Sequence, residues 1–553
     1  MPRKGSSKAP SRQTSHHREE FRMSESHRPH HSPSRKRSSR RSHHHESVKE
    51  MEQPKKCCNW SCCCKAFIAT FVIVGVILAV VGIVLVLKHR QIMVEQIKKI
   101  APLVSGSSTL KLFMSPPNAM KANIYMFSVT NPEAVVERGE KPDLQEIGPF
   151  VYQYQANRYD FSFNKDETDL SFQRKQTYIF DKEASGDRTE DDEITQLDLV
   201  AYVGLVGARE MGMGSLAMSF LRQYNRTYPF RKFKVGELLW GGNDPLYSFL
   251  MKSLSVVTGD KVEAGKNDKF GLFYGVNGTA NTFVIDTGKA NMEMFQKVLK
   301  YGENEGRFDD IWPIITDNLG RPMDVNNFRG VLGSSFAPDV NRNEILTALV
   351  PTMCFALDLS FSSAVDIDDM EMLRFGIDYK SFNPLSLKIN QAFCDPHDRN
   401  NKTKCLSSGV LNSTQCLDDK PVVFSWPHFL EADPYYLELV SGLKPENDRH
   451  ATYLDVDPLT GISVRAGERF QINFVLERMN VGRYSKLPQF TVFPVMWMDM
   501  TAEIDADGKA QLKKAIYNIY NLLRTLGYAC LIASVILVPV AVIVFFIYRC
   551  RFM

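Results

Sequence analysis

Two stretches of the chain differ from everything between them. Ala66–Leu87 is an uncharged run of Val, Ile, Leu and Ala, and Leu526–Tyr548 is a second run of the same kind. A helix rises about 1.5 Å per residue, so each run makes a rod of roughly 33 Å, the thickness of a bilayer's hydrocarbon core. Both are therefore predicted to be membrane-spanning helices. Pro539 is compatible with the second, because membrane helices tolerate proline when the freed backbone groups find partners. After the first span, Ile92, Val94, Ile97 and Ile100 lie among charges at helical spacing, and Pro102 ends that pattern.

Between the spans the pattern has a period of two. Tyr152, Tyr154 and Ala156 alternate with Gln153, Gln155 and Asn157 inside Val151–Phe163. Polar Asn164–Asp169 reads as a turn into Leu170–Phe180, which makes a hairpin. Asn123–Val129, Thr282–Asp286, Gly461–Arg465, Arg469–Leu476 and Gln489–Trp497 have the same bulky strand-like character. Strands in this number suggest a large antiparallel sheet or barrel. One segment switches to helical spacing: Ile194, Leu197, Ala201, Leu205 and Ala208, with Asp191 or Asp192 as the cap. A second helical run, Leu216–Tyr224, leads into Arg222, Arg226, Arg231, Lys232 and Lys234. The plain reading is a helical cap with a solvated charged rim. The functional reading is an apolar entrance whose cations attract anionic ligands.

Charge orients the spans. Residues 1–65 hold 16 Lys/Arg against 6 Asp/Glu, and Arg549 and Arg551 follow the second span. Basic flanks stay cytosolic, so both termini are expected inside and the large middle outside. Cys354, Cys394, Cys405 and Cys416 in the middle suit disulfides in an oxidising compartment, although four cysteines allow three pairings. Asn225, Asn277, Asn401 and Asn412 begin N-x-[ST] triplets and are expected to be N-glycosylated.

The Ser-, Arg- and His-rich tail has too little apolar content to order itself and should lie near the anionic inner leaflet. Cys57, Cys58, Cys62, Cys63 and Cys64 before the first span, and Cys550 after the second, are juxtamembrane candidates for palmitoylation. Their spacing matches no common zinc pattern.

Enzyme motifs are absent. There is no G-x-S-x-G elbow and no H-E-x-x-H. Asp286-Thr287-Gly288-Lys289 lacks the upstream glycine of a phosphate loop, and Ala290 stands where the magnesium-binding Ser/Thr would be. The chain is read as a non-enzyme without cofactor, metal or nucleic-acid partner.

Seven segments then carry a specific resemblance: Pro421–Leu430 (PVVFSWPHFL), Gly442–Asn447 (GLKPEN), His450–Gly461 (HATYLDVDPLTG), Ile147–Tyr152 (IGPFVY), Glu237–Gly241 (ELLWG), Phe283–Lys289 (FVIDTGK) and Phe493–Trp497 (FPVMW). Taken in chain order, from the first span to the second, they resemble the class B scavenger receptor family. That family includes fatty-acid translocase, the high-density-lipoprotein receptor, the lysosomal integral membrane protein type 2 and insect sensory neuron membrane proteins.

The resemblance implies an α+β fold: a large antiparallel β-barrel ectodomain with a helical bundle at its tip, anchored by two transmembrane helices. It implies a basic cytosolic tail at 1–65, spans at 66–87 and 526–548, an ectodomain at 88–525 with its tip at about 191–250, and a cytosolic end at 549–553. A hydrophobic tunnel would carry fatty acid, sterol or carotenoid from lipids or lipoprotein particles to the membrane.

Arg222, Tyr224, Arg226, Arg231, Lys232 and Lys234 become the expected ligand-binding rim, and a glycan on Asn225 would sit beside it. Cysteine order in the family implies Cys354 with Cys416 and Cys394 with Cys405. The expected location is the plasma membrane, with the lysosomal or endosomal membrane as the alternative, and homo-oligomers are compatible with it. The alternative function is a receptor for a protein or anionic particle bound at the tip, serving enzyme sorting, phagocytic recognition or adhesion.

Overall fold

A computed structural model describes residues 60–258, 269–309, 311–384, 386–394, 405–417, 420–488 and 490–552. The tail before residue 60, including Cys57 and Cys58, lies outside the described residues, as do the Asn401 triplet and Gln489.

The first apolar run belongs to α1 (Trp60–Ile100), a single helix that continues through the charged segment after it and includes the backbone of Cys62, Cys63 and Cys64. It is followed by α2 (Ser108–Met114), capped by the Ser107 side chain. The helices of the middle of the chain include α3 (Leu199–Glu210), α4 (Gly214–Gln223), α5 (Val235–Trp240) and α6 (Pro245–Thr258). At the end, α7 (Ala506–Leu512) runs through a π-helical turn, Lys513–Tyr517, into α8 (Asn518–Phe552). Two helical stretches, Lys65–Ile100 and Ala506–Arg551, are long and apolar enough to cross a membrane.

The two spans pack on glycine. A Cβ at Gly82 would fall 2.9 Å from the Gly527 carbonyl oxygen and 2.8 Å from Leu531, so only hydrogen fits at that contact. Small residues let membrane helices approach where the lipid gives no hydrophobic push. Outside the spans, Arg90 is ion-paired with Asp339, and Lys513 with Asp369 at 2.9 Å. The buried Tyr517 hydroxyl donates to Asp457 Oδ1 at 2.7 Å.

The strands are β1 (Asn118–Val129), β2 (Leu144–Phe163), β3 (Asp169–Phe180), β4 (Glu193–Leu197), β5 (Phe230–Lys234), β6 (Ala280–Asp286), β7 (Val298–Tyr301), β8 (Asn304–Glu305), β9 (Leu346–Val350), β10 (Phe355–Ile367), β11 (Met370–Ile377), β12 (Val410–Asn412), β13 (Val422–Ser425), β14 (Tyr453–Val456), β15 (Ser463–Glu477) and β16 (Phe490–Ile504). Fourteen of them form one antiparallel sheet. Its path is β8-β7-β6-β3-β2-β1-β16-β15-β14-β11-β10-β9, and the β12–β13 pair joins it through β15. β4 and β5 pair separately.

The β2–β3 hairpin forms around Asn164, whose Oδ1 accepts the Thr168 and Asp169 backbone N–H groups. Two sequence expectations need correction. Gly461–Arg465 and Arg469–Leu476 are not two strands but parts of β15. Gly467 does not break it: the Tyr453 ring covers that position, and a Cβ there would lie 2.6 Å from it. Gly461 itself is in a turn at φ 76°, pressed against the Phe336 carbonyl oxygen.

Candidate functional site

The helical segment starts later than its spacing suggested. Ile194 and Leu197 belong to β4, paired with Phe233 and Phe230 of β5, and α3 begins only at Leu199. The β-branched Ile194 and Thr195 favour the strand. Asp198 is the cap, its carboxylate accepting the Ala201 N–H at 3.1 Å, so Asp191 and Asp192 do not cap this helix. α3, α4 and α6 pack together: the Phe220 and Tyr224 rings lie 4.8 and 5.8 Å from Phe249.

The cations of this segment are mostly spoken for. Arg226 donates to Asp198 and Asp244, the latter at 2.9 Å, and these carboxylates are 1% and 4% exposed. Arg231 shares Asp244 at 3.0 Å and lies over the Phe233 ring. Burial works against the Arg226 charge, but the two acids more than offset it and hold the guanidinium above its ordinary range. Arg226 is thus a structural bolt rather than part of an open rim, because its acids come from the α3 cap and the start of α6. Lys232 pairs with Glu193 at 3.2 Å and Lys234 with Asp191 at 2.9 Å. Arg222 is exposed in the last turn of α4, and Tyr224 is half-buried after it.

Apolar surface is what this region does expose. Met211, Met213 and Leu216, at the α3–α4 corner, are 54%, 41% and 52% exposed. Tyr224, Asp244, Pro245 and Phe249 line a shallow open groove of about 560 Å³ in the same segment.

The sheet presents a second surface, the face that carries Tyr152 and Tyr154. Cross-strand register aligns Tyr178, Tyr154, Met120, Ala502 and Ala466 in one row over β3, β2, β1, β16 and β15. The next row is Phe180, Tyr152, Ala122, Met500 and Glu468. Ala122, Ile124 and Tyr152 on this face are fully buried. Yet Tyr178, Met120, Met500, Ala502 and Ala466 are only half-buried. The face is fully buried in places and only half-buried in others.

A third constellation was not singled out from the sequence as a site. Glu146 precedes the cis Gly148–Pro149 segment and accepts three donors: His428 Nε2 at 2.6 Å, Trp497 Nε1 at 2.8 Å and the Arg449 guanidinium. Burial alone would raise its carboxyl, but the hydrogen bonds from His428, Trp497 and Arg449 hold it down at about 2. His450 stacks on His428 and stands edge-on to Trp497 at 5.2 Å.

Burial, then the neighbouring His428 and Arg449, push the His450 imidazole down to about 3. Glu146, His428 and His450 offer three donor atoms within 4.8 Å, a spacing that suits a metal ion. The hydrogen bonding does not. His428 Nδ1 accepts the Lys444 N–H and His450 Nδ1 accepts the Glu446 N–H, both at 3.0 Å, which leaves the proton on each Nε2. Arg449 adds a positive charge to the same carboxylate. The cluster is a polar clasp that ties together residues from four of the resembling segments.

The CD36 family matches residues 73–545 of the chain. The chain belongs to this family. Among its relatives, lysosome membrane protein 2 of Rattus norvegicus is 29% identical, over 76% of this chain and 83% of that protein. Scavenger receptor class B member 1 of Bos taurus is 26% identical, over 78% and 80%. Sensory neuron membrane protein 2 of Ostrinia furnacalis is 28% identical, over 85% and 90%. The CD36-family relatives thus include a lysosome membrane protein, a scavenger receptor and a sensory neuron membrane protein.

This CD36-family chain contains two disulfides, Cys354–Cys416 and Cys394–Cys405. Asn225 and Asn277 are exposed and Asn412 is half-buried. The Asn277 amide exchanges two hydrogen bonds with the Tyr178 backbone, both at 3.0 Å. Cys550 is exposed near the end of α8.

Proposed function

We propose that the chain is a two-pass receptor of the cell surface that captures lipids or lipoproteins at its helical segment and passes lipid through the ectodomain interior to the bilayer. In this reading the sheet closes as a barrel, α3–α6 form its membrane-distal tip, and both termini are cytosolic. Cys62–Cys64 and Cys550 carry palmitate, and Asn225, Asn277 and Asn412 carry glycans. One observation carries the reading: on the row that runs Tyr178, Tyr154, Met120, Ala502 and Ala466, the two small alanines are direct cross-strand partners and are only half-buried. A dry path spares a lipid about 0.8 kcal/mol per CH₂ that would otherwise meet water. Transfer of this kind is passive and follows the gradient.

The test is a plug. Ala466→Trp and Ala502→Trp, expressed at the cell surface to wild-type level, should lose uptake of labelled sterol from lipoprotein while still binding the particle. Unchanged uptake in both would defeat the conduit. The Met211, Met213 and Leu216 patch also fits a protein ligand, since methionine-rich surfaces adapt to varied partners. In that second reading the plugs are silent and only changes at the patch alter ligand binding. The paired state of Arg226, Arg231, Lys232 and Lys234 argues against capture of anionic particles by these cations.

A further inference from the structure

Near the β2–β3 turn, the face that carries Tyr152 and Tyr154 changes character. Arg158 of β2 and Arg174 of β3 are direct cross-strand partners, two residues beyond the Ala156–Gln176 pair on the same face. Side chains alternate along a strand, so both point to the side that carries Tyr154 and Tyr178. Like charges placed opposite each other destabilise a sheet. Here nothing nearby cancels both. Neither arginine forms a salt bridge among the described residues, and the Nε of each is shielded from solvent without a hydrogen-bond partner. Among the described residues, Arg158 donates only to the Phe113 carbonyl oxygen. Burial, then the charge of Arg174, draw Arg158 down to about 10.

The surroundings are half polar and half apolar. The Arg158 guanidinium lies 4.1 Å from the Phe113 ring, and Arg174 lies 4.7 Å from Phe283. Phe172 stacks between them, its ring 5.7 Å from Phe283 and edge-on to Phe113. Glu468 is the acid of this face that acts on Arg174, and burial raises its carboxyl while Arg174 lowers it. Two guanidiniums against one carboxylate leave one positive charge in excess. Arg158, Arg174 and Glu468 are all only half-buried on this face, so space remains beside them. The loop leaving α1 lies at this end of the sheet: Leu103 donates to Thr287, which donates to Thr168 in the hairpin turn.

From this geometry we infer that Arg158 and Arg174 form an internal headgroup site for a single-chain amphiphile bearing one anionic group, its chain lying on Phe113, Phe172 and Phe283. Guanidinium forks suit a carboxylate or a phosphate, and the aromatic bed suits the alkyl chain. The site lies at the membrane-near end of the interior path proposed above, and the inference rests on that path. A neutral sterol would pass this point without being held. An acidic lipid would pause there, its charge compensated until it enters the bilayer.

The experiment uses the full chain in phosphatidylcholine nanodiscs at neutral pH, with empty discs subtracted. The probes share an oleyl chain: oleate, oleoyl lysophosphatidate and oleyl alcohol. The expected result is that at least one anion binds about ten-fold more tightly than the alcohol, as a charge-assisted hydrogen bond would give. The tighter of the two anions identifies the headgroup as carboxylate or phosphate. The double variant Arg158→Gln/Arg174→Gln should lose this preference and keep alcohol binding, which shows that it is folded. Arg158→Lys/Arg174→Lys should retain most of it.

Equal binding of all three probes to the wild type overturns the headgroup site and leaves the path intact. So does a preference that survives in the glutamine variant. Failure of even the alcohol to bind overturns the path together with the site.

Discussion

His428 and His450 stack with ring centroids 4.3 Å apart and planes 13° from parallel. Each accepts a backbone N–H on Nδ1, and His428 passes its Nε2 proton toward Glu146. Two imidazoles at this distance cannot both be charged cheaply. Protonating His450 would oppose it to Arg449 and to any charge on His428 in a fully buried site.

Stability should therefore fall as the medium becomes acidic. The ordinary histidine value is 6.5 and His450 is held at about 3 in the fold. Between these pH values the unfolded chain binds a proton that the folded chain refuses, so folding weakens as pH drops through that window. The slope is at most about 1.4 kcal/mol per pH unit. Glu146 adds a loss of the same sign at lower pH, from 4.5 down to about 2. Urea unfolding at pH 7 and pH 5 checks this, and His450→Gln should flatten the difference. An equal pH dependence in that variant would remove His450 from the account.

Much of this was legible in the sequence, for a physical reason. The spans announce themselves by length and purity, and the hairpin by its period of two. The clasp did not, because its members are spread along the chain and only the sheet brings them together. Glu146 meets His428 through the β1–β2 and β1–β16 pairings that carry Trp497 beside Tyr125. The resembling motifs had already marked His428, His450 and Trp497, but as pattern, without a reason. The basic cluster shows the opposite case: cations next to each other in sequence are visible, while the acids that pair with Arg226 and Arg231 are brought in by the fold.

Arg226 illustrates that last point in energetic terms. Removing it leaves Asp198 and Asp244 buried with only the part-exposed Arg231 against them, where breaking a buried pair outright costs about 3–5 kcal/mol. Arg226→Ala should lower the urea midpoint sharply and raise hydrogen exchange in α3, whose cap is Asp198. Lys232→Ala and Lys234→Ala break exposed pairs and should change stability by about 0.5 kcal/mol or less. Similar effects from all three would mean that the network around Arg226 is not buried as described.

The two disulfides should differ in weight. Cys354 and Cys416 are separated by 62 residues, and Cys394 and Cys405 by 11. Chain entropy assigns the longer loop about 4 kcal/mol and the shorter about 3 kcal/mol. Cys354→Ser/Cys416→Ser should thus unfold at lower denaturant than Cys394→Ser/Cys405→Ser. The longer bridge also adjoins the core through Trp312, whose Nε1 donates to the Cys354 carbonyl oxygen at 2.7 Å. The reverse order of midpoints would show that loop length does not govern here.

The last expectation concerns the exposed corner between α3 and α4. Met211, Met213 and Leu216 lie where the helical segment could spare them, with polar residues available by substitution at no packing loss. Exposed apolar patches of this kind mark contact with other apolar surfaces. Met211→Ser/Met213→Ser/Leu216→Ser should leave the urea midpoint within about 0.5 kcal/mol of wild type, because these side chains touch little. Binding of lipoprotein should nevertheless fall several-fold, and with it lipid uptake. Arg222→Ala, exposed on the same segment but charged, should matter less at high salt than at low salt, since surface charge is screened. If the serine variant binds particles normally while Arg222→Ala abolishes binding at every salt concentration, recognition is ionic and local, and the apolar corner is not the docking surface.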